Sequence, residues 1–325
     1  MFGNYPTPLL PLRRLSKALN GPEIWIKRDD LTGLAFGGNK TRKLEHLISD
    51  ALAKDANVVI TAGAQQSNHC RQTAAACAAA GIECHLVLGG SAPRVSTGNF
   101  LLDQILGASI HLSGPERKGE SIARIADELG GQGKRPYVVP YGGSNAIGAR
   151  GFVDAIAELR EQMHTVDCHF DRIVFPSSSG GTQAGMLVGA RVHSLATRVT
   201  GVAIDKNEAG ERPFDEHIAE IANELRAVYS FEGHFSRGDV ELLNDYVGAG
   251  YGVVGKLERE AISLVAETEG ILLDPVYTGR AMGALIDQVR RGEVGRGERV
   301  LFWHTGGSPA IFAYAAELSQ GVGSE

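Results

Sequence analysis

The chain has 325 residues, of which 43% are hydrophobic and 22% charged, a composition typical of a soluble globular protein that can bury a sizeable core. Its net charge of −6 and the lack of a long basic stripe argue against a nucleic-acid surface. No apolar run of membrane-spanning length occurs, and residues 1–12 lack the pattern of a secretory signal, so we expect no membrane association. The four cysteines form no C-x-x-C pair and no metal spacing, which favours buried thiols in a reducing, cytoplasmic compartment and no metal site.

Short apolar runs rich in Val and Ile alternate with helix-like stretches along the chain. Strands are predicted at 24–26, 58–60, 85–88, 137–139, 173–175, 199–204 and 300–302, and the run 271–273 is treated in the same way. Helices are predicted between them, for example over 71–80, 121–129, 148–162 and 257–269. Apolar strands that alternate with helices are typical of parallel sheets covered by helices, so the predicted fold class is α/β.

Two lysines stand three residues apart, directly after a glycine pair, in the string 37–43 (GGNKTRK). Residues three apart share one face of a helix, so Lys40 can form a Schiff base with an aldehyde while Lys43 neutralises a phosphate. The start of the helix would also present free N–H groups to an anion. Pyridoxal phosphate (PLP) carries both an aldehyde and a phosphate. A glycine-capped surface helix with basic residues is the alternative that this string alone leaves open.

The loops after the predicted strands are the places where ligands bind to parallel sheets. After 58–60, Ser67 or Asn68 is positioned to cap a helix whose start suits a carboxylate. After 173–175, the serine- and glycine-rich loop 177–182 precedes a helix and is a candidate phosphate cup, because successive N–H groups converge on an anion. Simple helix capping and an ordinary polar loop are the alternatives.

Two tyrosines and a threonine complete the candidates. Tyr277 follows the run 271–273 in the string DPVYTG, and Tyr251 lies between two glycines on an adaptable loop. Thr305 follows the strand 300–302 and can present its hydroxyl to a heterocyclic nitrogen. A core tyrosine and a loop hydrogen bond are the plainer interpretations.

In this order, the strings resemble the fold-type II PLP family that contains D-cysteine desulfhydrase, 1-aminocyclopropane-1-carboxylate (ACC) deaminase and L-cysteate sulfo-lyase. The resemblance runs from PTPL at 6–9 to HTGG at 304–307. It implies a fold similar to that of the tryptophan synthase β subunit, with two open, twisted, mostly parallel sheets flanked by helices. It also implies a large PLP-binding domain (1–48 and 151–325), a small α/β domain (49–150), a cleft between them and a homodimer.

The resemblance also implies a role for each residue that matches the family's strings. Lys40 resembles the Schiff-base lysine, Asn68 the residue near the phenolic oxygen of PLP, and Thr305 the partner of its pyridine nitrogen. The phosphate site is expected at Lys43, Ser178, Ser179, Gly180, Gly181 and Thr182. The catalytic residues are expected to be Lys40, Ser67, Tyr251 and Tyr277. The residues expected to contact a small amino-acid substrate are Ser67, Asn68, His69, Tyr251, Tyr277 and Thr278.

Three positions indicate the branch of the family. ACC deaminases have Glu and Leu where this chain has Thr278 and Thr305, and they tend to have Gln where it has His69. The resemblance therefore implies a β-elimination carbon–sulfur lyase of the D-cysteine desulfhydrase branch. L-cysteate sulfo-lyase is the nearest alternative, ACC deaminase is a weaker one, and a non-catalytic PLP-binding protein is the alternative outside enzymes.

Overall fold

The computed structural model describes residues 1–206, 210 and 212–319. The predicted large domain extends to 325, so its last residues, 320–325, lie outside the described residues. Within these residues the chain forms ten strands and eleven α-helices. The strands are β1 (Leu9–Pro11), β2 (Glu23–Arg28), β3 (Val58–Ala64), β4 (Glu83–Gly89), β5 (Ser109–Leu112), β6 (Pro136–Val138), β7 (Arg172–Ser177), β8 (Arg198–Ala203), β9 (Glu241–Leu243) and β10 (Arg299–His304). The helices are α1 (Arg13–Leu19), α2 (Lys40–Ala53), α3 (Asn68–Ala80), α4 (Gly98–Ile105), α5 (Ile122–Gly131), α6 (Ala146–Thr165), α7 (Gly181–Val192), α8 (Phe214–Tyr229), α9 (Lys256–Glu269), α10 (Thr278–Arg290) and α11 (Ala315–Leu318).

The strands form two sheets. The larger has the order β1-β2-β10-β7-β8-β9, and the smaller has the order β5-β4-β3-β6. Among the described strands only β1 and β2 pair antiparallel, and the other neighbours are parallel. The predicted α/β class with two mostly parallel sheets is confirmed. The strands of the smaller sheet fall within 58–138, while the exact domain boundaries stay a prediction.

Helices cover both faces of the larger sheet, which explains why its strands read as apolar runs. On one face Ile24 and Phe302 pack with Val265 of α9 and Ala281 of α10. On the other face Leu301 and Trp303 pack with Phe152 of α6. Adjacent residues of β10 therefore belong to different hydrophobic clusters, as the alternation of side chains along a strand requires.

The seven Val- and Ile-rich runs all lie in or overlap strands, but the run 271–273 does not. Residues 271–273 form the connection between α9 and α10, with Leu272 55% exposed. The carbonyl of Leu272 accepts a hydrogen bond from His304 Nε2 (3.0 Å) rather than from a neighbouring strand. The short strands β1, β5 and β9 were not predicted, because three or four residues carry too little periodicity to stand out.

A buried group of charged residues lies behind the first turn of α2. Arg42 donates to both oxygens of Asp29 (2.8 and 2.9 Å) and to both oxygens of Glu158 (2.9 and 3.0 Å). Lys27 forms an ion pair with the same Glu158, and Trp303 donates to Asp29 (2.8 Å). Burial alone would raise the pKa of Glu158, but its hydrogen bonds to Arg42 and the charge of Lys27 lower it to about 2.

This group joins three elements at one point. Asp29 follows β2, Glu158 lies on α6, and Arg42 lies on α2 between Lys40 and Lys43. Since both partners of Arg42 are held by further hydrogen bonds, the first turn of α2 is fixed in rotation as well as in position.

Replacing Glu158 with Gln should therefore destabilise the protein. Two buried cations, Lys27 and Arg42, would then share one carboxylate, and removal of one partner from a buried ionic group costs about 3 kcal/mol. Urea unfolding monitored by circular dichroism measures this loss. Glu161→Gln, on the exposed side of the same helix, is the control and should unfold like the parent. Equal unfolding free energies for the two variants would contradict the prediction.

Candidate active site

The turn that precedes α2 brings Lys40 to a cleft between the two sheets. Gly37 and Gly38 have φ values of 65° and 130°, which side chains other than glycine rarely adopt. A Cβ on Gly37 would collide with the carbonyl oxygen of Asp30, and a Cβ on Gly306 would lie 2.7 Å from Gly38 Cα. The glycines therefore permit close contact between this turn and the loop after β10.

The backbone N–H groups of this turn are hydrogen-bonded within the protein, whereas the sequence led us to expect them to be free for an anion. Gly38 N donates to Asp29 O (2.9 Å), Asn39 N to Thr305 O (3.0 Å), and Thr41 N to Gln72 Oε1 (2.9 Å). The start of α2 therefore does not offer these amides to an anion, because they attach the turn to the residues that follow β2 and β10 and to α3. This start contributes the side chain of Lys40, whose Nζ donates to Asn39 Oδ1 (3.2 Å).

The start of α3 lies at the same cleft. Ser67 is the N-cap of α3, and its hydroxyl accepts from Cys70 N (3.2 Å). Asn68 Oδ1 accepts from Asn99 of α4 (2.8 Å), which fixes the orientation of the Asn68 amide. Ser67, Asn68 and His69 all line the cleft, so the cap and the candidate binding residues are the same residues.

The loop from β7 to α7 forms the third wall. Ser178, Ser179, Gly180 and Thr182 line the cleft, and Gly180 has a φ of 84° at the N-cap of α7. Thr182 accepts from Asn39 Nδ2 (3.1 Å), so Asn39 contacts both Lys40 and this loop. The amide of Gly181 donates to Ser144 Oγ (3.1 Å) instead of facing the cleft.

Lys43 reaches this loop through a residue that the sequence did not reveal. Its Nζ donates to Gly142 O (3.0 Å) and to Ser144 Oγ (3.0 Å), and Ser144 Oγ is 2.7 Å from Ser179 Oγ. Burial, together with the charge of Lys40, lowers the pKa of Lys43 well below its usual range. A nearby anion would offset this cost, which is consistent with the predicted role of Lys43 at a phosphate.

The two tyrosines meet at one edge of the cleft. Their hydroxyl oxygens, on Tyr251 and Tyr277, are 2.6 Å apart, and Tyr277 lines the cleft. Asp274 accepts from the amides of residues 276–278, and this tight turn holds Tyr277. Burial raises the pKa of Tyr251 well above its usual range, so its phenol keeps its proton at neutral pH.

Arg280 supports the loop that carries Tyr251. This fully buried residue of α10 donates to the carbonyls of Gly250 (3.1 Å) and Val253 (2.9 Å) and pairs with Glu258 (2.7 Å). Contacts with the carbonyls on both sides of Tyr251 limit the movement of a loop that contains two glycines.

The two threonines occupy different surroundings. Thr305 lines the cleft at the end of β10, beside Asn39. Thr278 is buried, and its hydroxyl lies 2.7 Å from Asp274 Oδ1 and 2.7 Å from Asp274 N. The described contacts therefore place Thr278 in the turn that supports Tyr277 rather than among the lining residues, and its predicted substrate contact stays a prediction.

His69 is held in its neutral form. The hydroxyl of Thr61 donates to Val139 O (2.8 Å), so it can only accept from His69 Nε2 (2.8 Å), which carries the ring proton. His69 Nδ1 is then an acceptor, buried and without a partner in the described part of the chain. Burial, with the charges of Lys40 and Lys43, lowers the pKa of His69 well below its usual range.

Sequence reasoning missed Asn39, Tyr141, Gly142 and Ser144. Asn39 and Tyr141 were invisible because single polar or aromatic residues in turns carry no distinctive signal. The glycine pair 142–143, which comes shortly after the predicted strand 137–139, is the signal that would have identified the loop that carries Gly142 and Ser144. Both glycines have positive φ.

The cleft fits PLP. A Cβ on Gly181 would lie 2.7 Å from Ser144 Oγ, so the loops pack closely, and Ser178, Ser179 and Thr182 rather than bulky side chains form this wall. The buried hydroxyl of Ser177 has no hydrogen-bond partner within the described residues. Lys40 lies at the same cleft as these donors, which is the arrangement that an aldehyde with a phosphate requires.

A comparison with protein families agrees with this fit. The model of the family described as pyridoxal-phosphate dependent enzyme matches residues 1–306. The chain belongs to this family, and its predicted cofactor, PLP, is confirmed.

Curated relatives are more specific. The chain is 41% identical over 320 residues to a D-cysteine desulfhydrase of Klebsiella pneumoniae, with 96% of this chain and 95% of the relative covered. It is 42% identical over 323 residues to a D-cysteine desulfhydrase of Salmonella typhimurium, with the same coverage.

Among solved structures, an ACC deaminase homologue superimposes with a TM-score of 0.90 at 37% identity, over 98% of this chain and 95% of that one. A threonine deaminase of Solanum lycopersicum has a TM-score of 0.65 at 18% identity, with 97% of this chain and 82% of that one covered, and shows the fold alone. Together these findings confirm the fold-type II PLP architecture that the resemblance implied.

Two other expectations concern membrane-spanning helices and the cysteines. None of the helices in the described residues is both long and apolar enough to cross a membrane. All four cysteines are buried and unpaired, as expected.

Replacing Ser144 with Ala should weaken PLP binding about threefold to tenfold, because the variant loses one hydroxyl between Lys43 and Ser179. Equilibrium dialysis of PLP against the cofactor-free protein measures the dissociation constant. Ser49→Ala, on the exposed side of α2, is the control. An unchanged dissociation constant in the Ser144 variant would contradict the predicted phosphate site.

His69 should make the cofactor-free protein acid-sensitive. Below pH 6.5 the unfolded chain protonates this histidine while the folded chain does not, so stability is lost as the pH falls through 6.5. Between pH 7.5 and 5.5 the parent should lose about 1.4 kcal/mol more unfolding free energy than His69→Gln. Urea unfolding at the two pH values measures the difference, and parallel losses in both proteins would contradict the shifted pKa.

Proposed function

We propose that this chain is a PLP-dependent carbon–sulfur lyase that catalyses β-elimination from D-cysteine, converting D-cysteine and water to pyruvate, hydrogen sulfide and ammonia. The observation that carries the proposal is the identity of 41–42% over nearly the whole chain to proteins named D-cysteine desulfhydrase. The cleft supports it, because Lys40, Ser67, Asn68 and Tyr277 line one surface.

The proposed binding residues follow from the walls of the cleft. Lys40 would hold PLP covalently through Nζ. The loop 178–182, with Lys43 and Ser144 behind it, would hold the phosphate. Asn68 and Thr305 would contact the ring, and when bound PLP would supply an electron sink for negative charge at the substrate Cα.

The substrate carboxylate would bind at the start of α3. Ser67 and Asn68 lie at this N-terminus, where the helix dipole favours an anion. His69 is neutral and can only accept a hydrogen bond at Nδ1. It would therefore not bind the carboxylate, and would instead accept a hydrogen bond from a donor group of the substrate. These contacts would orient the bond to the α-hydrogen toward Lys40.

Two groups would move protons. Lys40 Nζ, which Asn39 orients (3.2 Å), would accept the α-proton once the amino group of the substrate has replaced it on the cofactor. Tyr277 at the cleft, with Tyr251 behind it at 2.6 Å, would deliver a proton to the leaving sulfur, because burial keeps the Tyr251 phenol protonated. Ser67, whose side chain also lines the cleft, is the alternative residue that we propose for this transfer.

We also propose that the protein is a cytoplasmic homodimer with a small amino acid as its substrate. The four unpaired, buried cysteines support a reducing compartment. The dimer rests on the resemblance alone, and size-exclusion chromatography with light scattering tests it.

Lys40→Ala should abolish turnover of D-cysteine and the visible absorbance of the bound cofactor together. The control is Lys54→Ala, at the exposed end of the same helix, which should retain both. The substrate panel is D-cysteine, L-cysteine, L-cysteate and ACC, with pyruvate, sulfide, sulfite and 2-oxobutyrate as the measured products.

The outcomes separate the alternatives. Sulfide from D-cysteine supports the proposal, while sulfite from L-cysteate alone or 2-oxobutyrate from ACC alone assigns the chain to another branch. Bound PLP with no product from any substrate indicates a non-catalytic protein. Full activity of the Lys40 variant removes this lysine from the mechanism.

A further inference from the structure

We propose that Arg71 is a positioning residue for Lys40: it holds the turn 35–37 in a disfavoured backbone conformation and so sets the position from which Lys40 enters the cleft. The proposal deepens the proposed function, because it depends on the role assigned there to Lys40.

The turn before Lys40 is left-handed over four consecutive residues. Ala35, Phe36, Gly37 and Gly38 have φ values of 41°, 68°, 65° and 130°. Glycine adopts such values readily, but Ala35 and Phe36 carry a Cβ that clashes in this region. Phe36 is also 66% exposed, so packing of its ring does not explain its conformation. Other contacts must stabilise this part of the turn.

Arg71 supplies these contacts. Its Nη1 donates to the carbonyl of Ala35, and its Nη2 donates to the carbonyl of Gly37 (3.1 Å). The side chain is fully buried, yet in the described part of the chain these two backbone carbonyls are its hydrogen-bond acceptors. A planar guanidinium contacts two carbonyls from two nitrogens at a fixed spacing, whereas an ammonium group donates from a single nitrogen at the end of a flexible chain.

A second buried group interacts electrostatically with Arg71. Asp103 of α4 is fully buried, and neither carboxylate oxygen has a hydrogen-bond partner among the described residues. Burial lowers the pKa of Arg71 to about 10, against the effect of a charged Asp103, and burial raises the pKa of Asp103 to about 8, so this carboxyl is largely protonated at neutral pH. Asp103 does not contact the turn, so its influence on Arg71 and the carbonyl contacts of Arg71 can be separated by substitution.

Arg71 also connects the two halves of the proposed site. It lies on the first turn of α3, directly after the cleft residues 67–69, and its neighbour Gln72 accepts from Thr41 N (2.9 Å). The turn that carries Lys40 is thus attached to the helix that would bind the substrate carboxylate. A shift of this turn would change the distance between the base and the α-hydrogen, to which proton transfer is sensitive.

Arg71→Lys is the central variant, since it keeps the charge near Asp103 and loses the paired contacts to the turn. In the PLP-loaded enzyme we expect kcat for D-cysteine to fall at least tenfold with KM changed less than threefold. We also expect the pH titration of the bound cofactor's visible absorbance to shift. The control is Arg172→Lys. Arg172 is also buried and donates from two nitrogens to Glu298, but it lies at the end of β7 that is remote from the cleft.

A second measurement does not depend on activity. Phe36 is an exposed chymotrypsin site within the turn, so limited proteolysis followed by mass spectrometry reports on the turn directly. Cleavage after Phe36 should accelerate at least fivefold in Arg71→Lys and remain at the parental rate in Arg172→Lys. Asp103→Asn should also retain the parental rate, because the carbonyl contacts of Arg71 persist.

The results distinguish the proposals. Parental kcat and parental cleavage in Arg71→Lys would overturn the positioning role, as would a general loss of stability with no preference for cleavage at Phe36. Faster cleavage after Phe36 together with the loss of kcat supports it. If Lys40→Ala keeps full activity, the proposed function fails, while the proteolysis result still decides whether Arg71 holds the turn.

Discussion

The contact between Arg42 and the two carboxylates of Asp29 and Glu158 is the constraint on which the rest of the site depends. Arg42 lies between Lys40 and Lys43 in one helical turn, and its side chain is buried in the protein while Lys40 lines the cleft. Because the fork of the guanidinium matches both carboxylates, it fixes the rotation of α2. A rotation of α2 by one residue would exchange the positions of the charged side chains, at the cost of the four hydrogen bonds that Arg42 donates to the two carboxylates.

Two further buried arginines act on backbone carbonyls near the cleft. Arg71, on the first turn of α3, contacts the turn before Lys40, and Arg280, on the first turn of α10, contacts the loop around Tyr251. In both cases a helix of regular geometry supports an irregular, glycine-containing segment that carries or precedes a candidate site residue. Buried guanidinium groups contact the backbone of these segments and restrict their motion.

The sequence predicted the parts of the molecule that have a periodic apolar pattern or that match the strings of a known family. The long strands β3, β4 and β8 and the serines of the loop 178–182 were found because apolar periodicity and glycine clusters are local signals. The contacts of Ser144 and Arg71 were not found, since the partners of Ser144 lie 101 and 35 residues away and those of Arg71 lie 36 and 34 residues away. The run 271–273 failed because its apolar residues alternate between buried and exposed as in a strand, whereas pairing with a neighbouring strand, which these residues lack, is what makes a strand.

The proximity of Gly306 to Gly38 restricts which mutations the protein can tolerate. A methyl group on Gly306 would occupy the space next to Gly38 Cα and push apart the two backbones that the Asn39–Thr305 hydrogen bond joins (3.0 Å). Because the obstacle is main chain, no change of another side chain can make room for it. A substitution at Gly306 therefore cannot be compensated by a second side-chain change, so directed evolution of substrate preference has to begin elsewhere on the cleft wall.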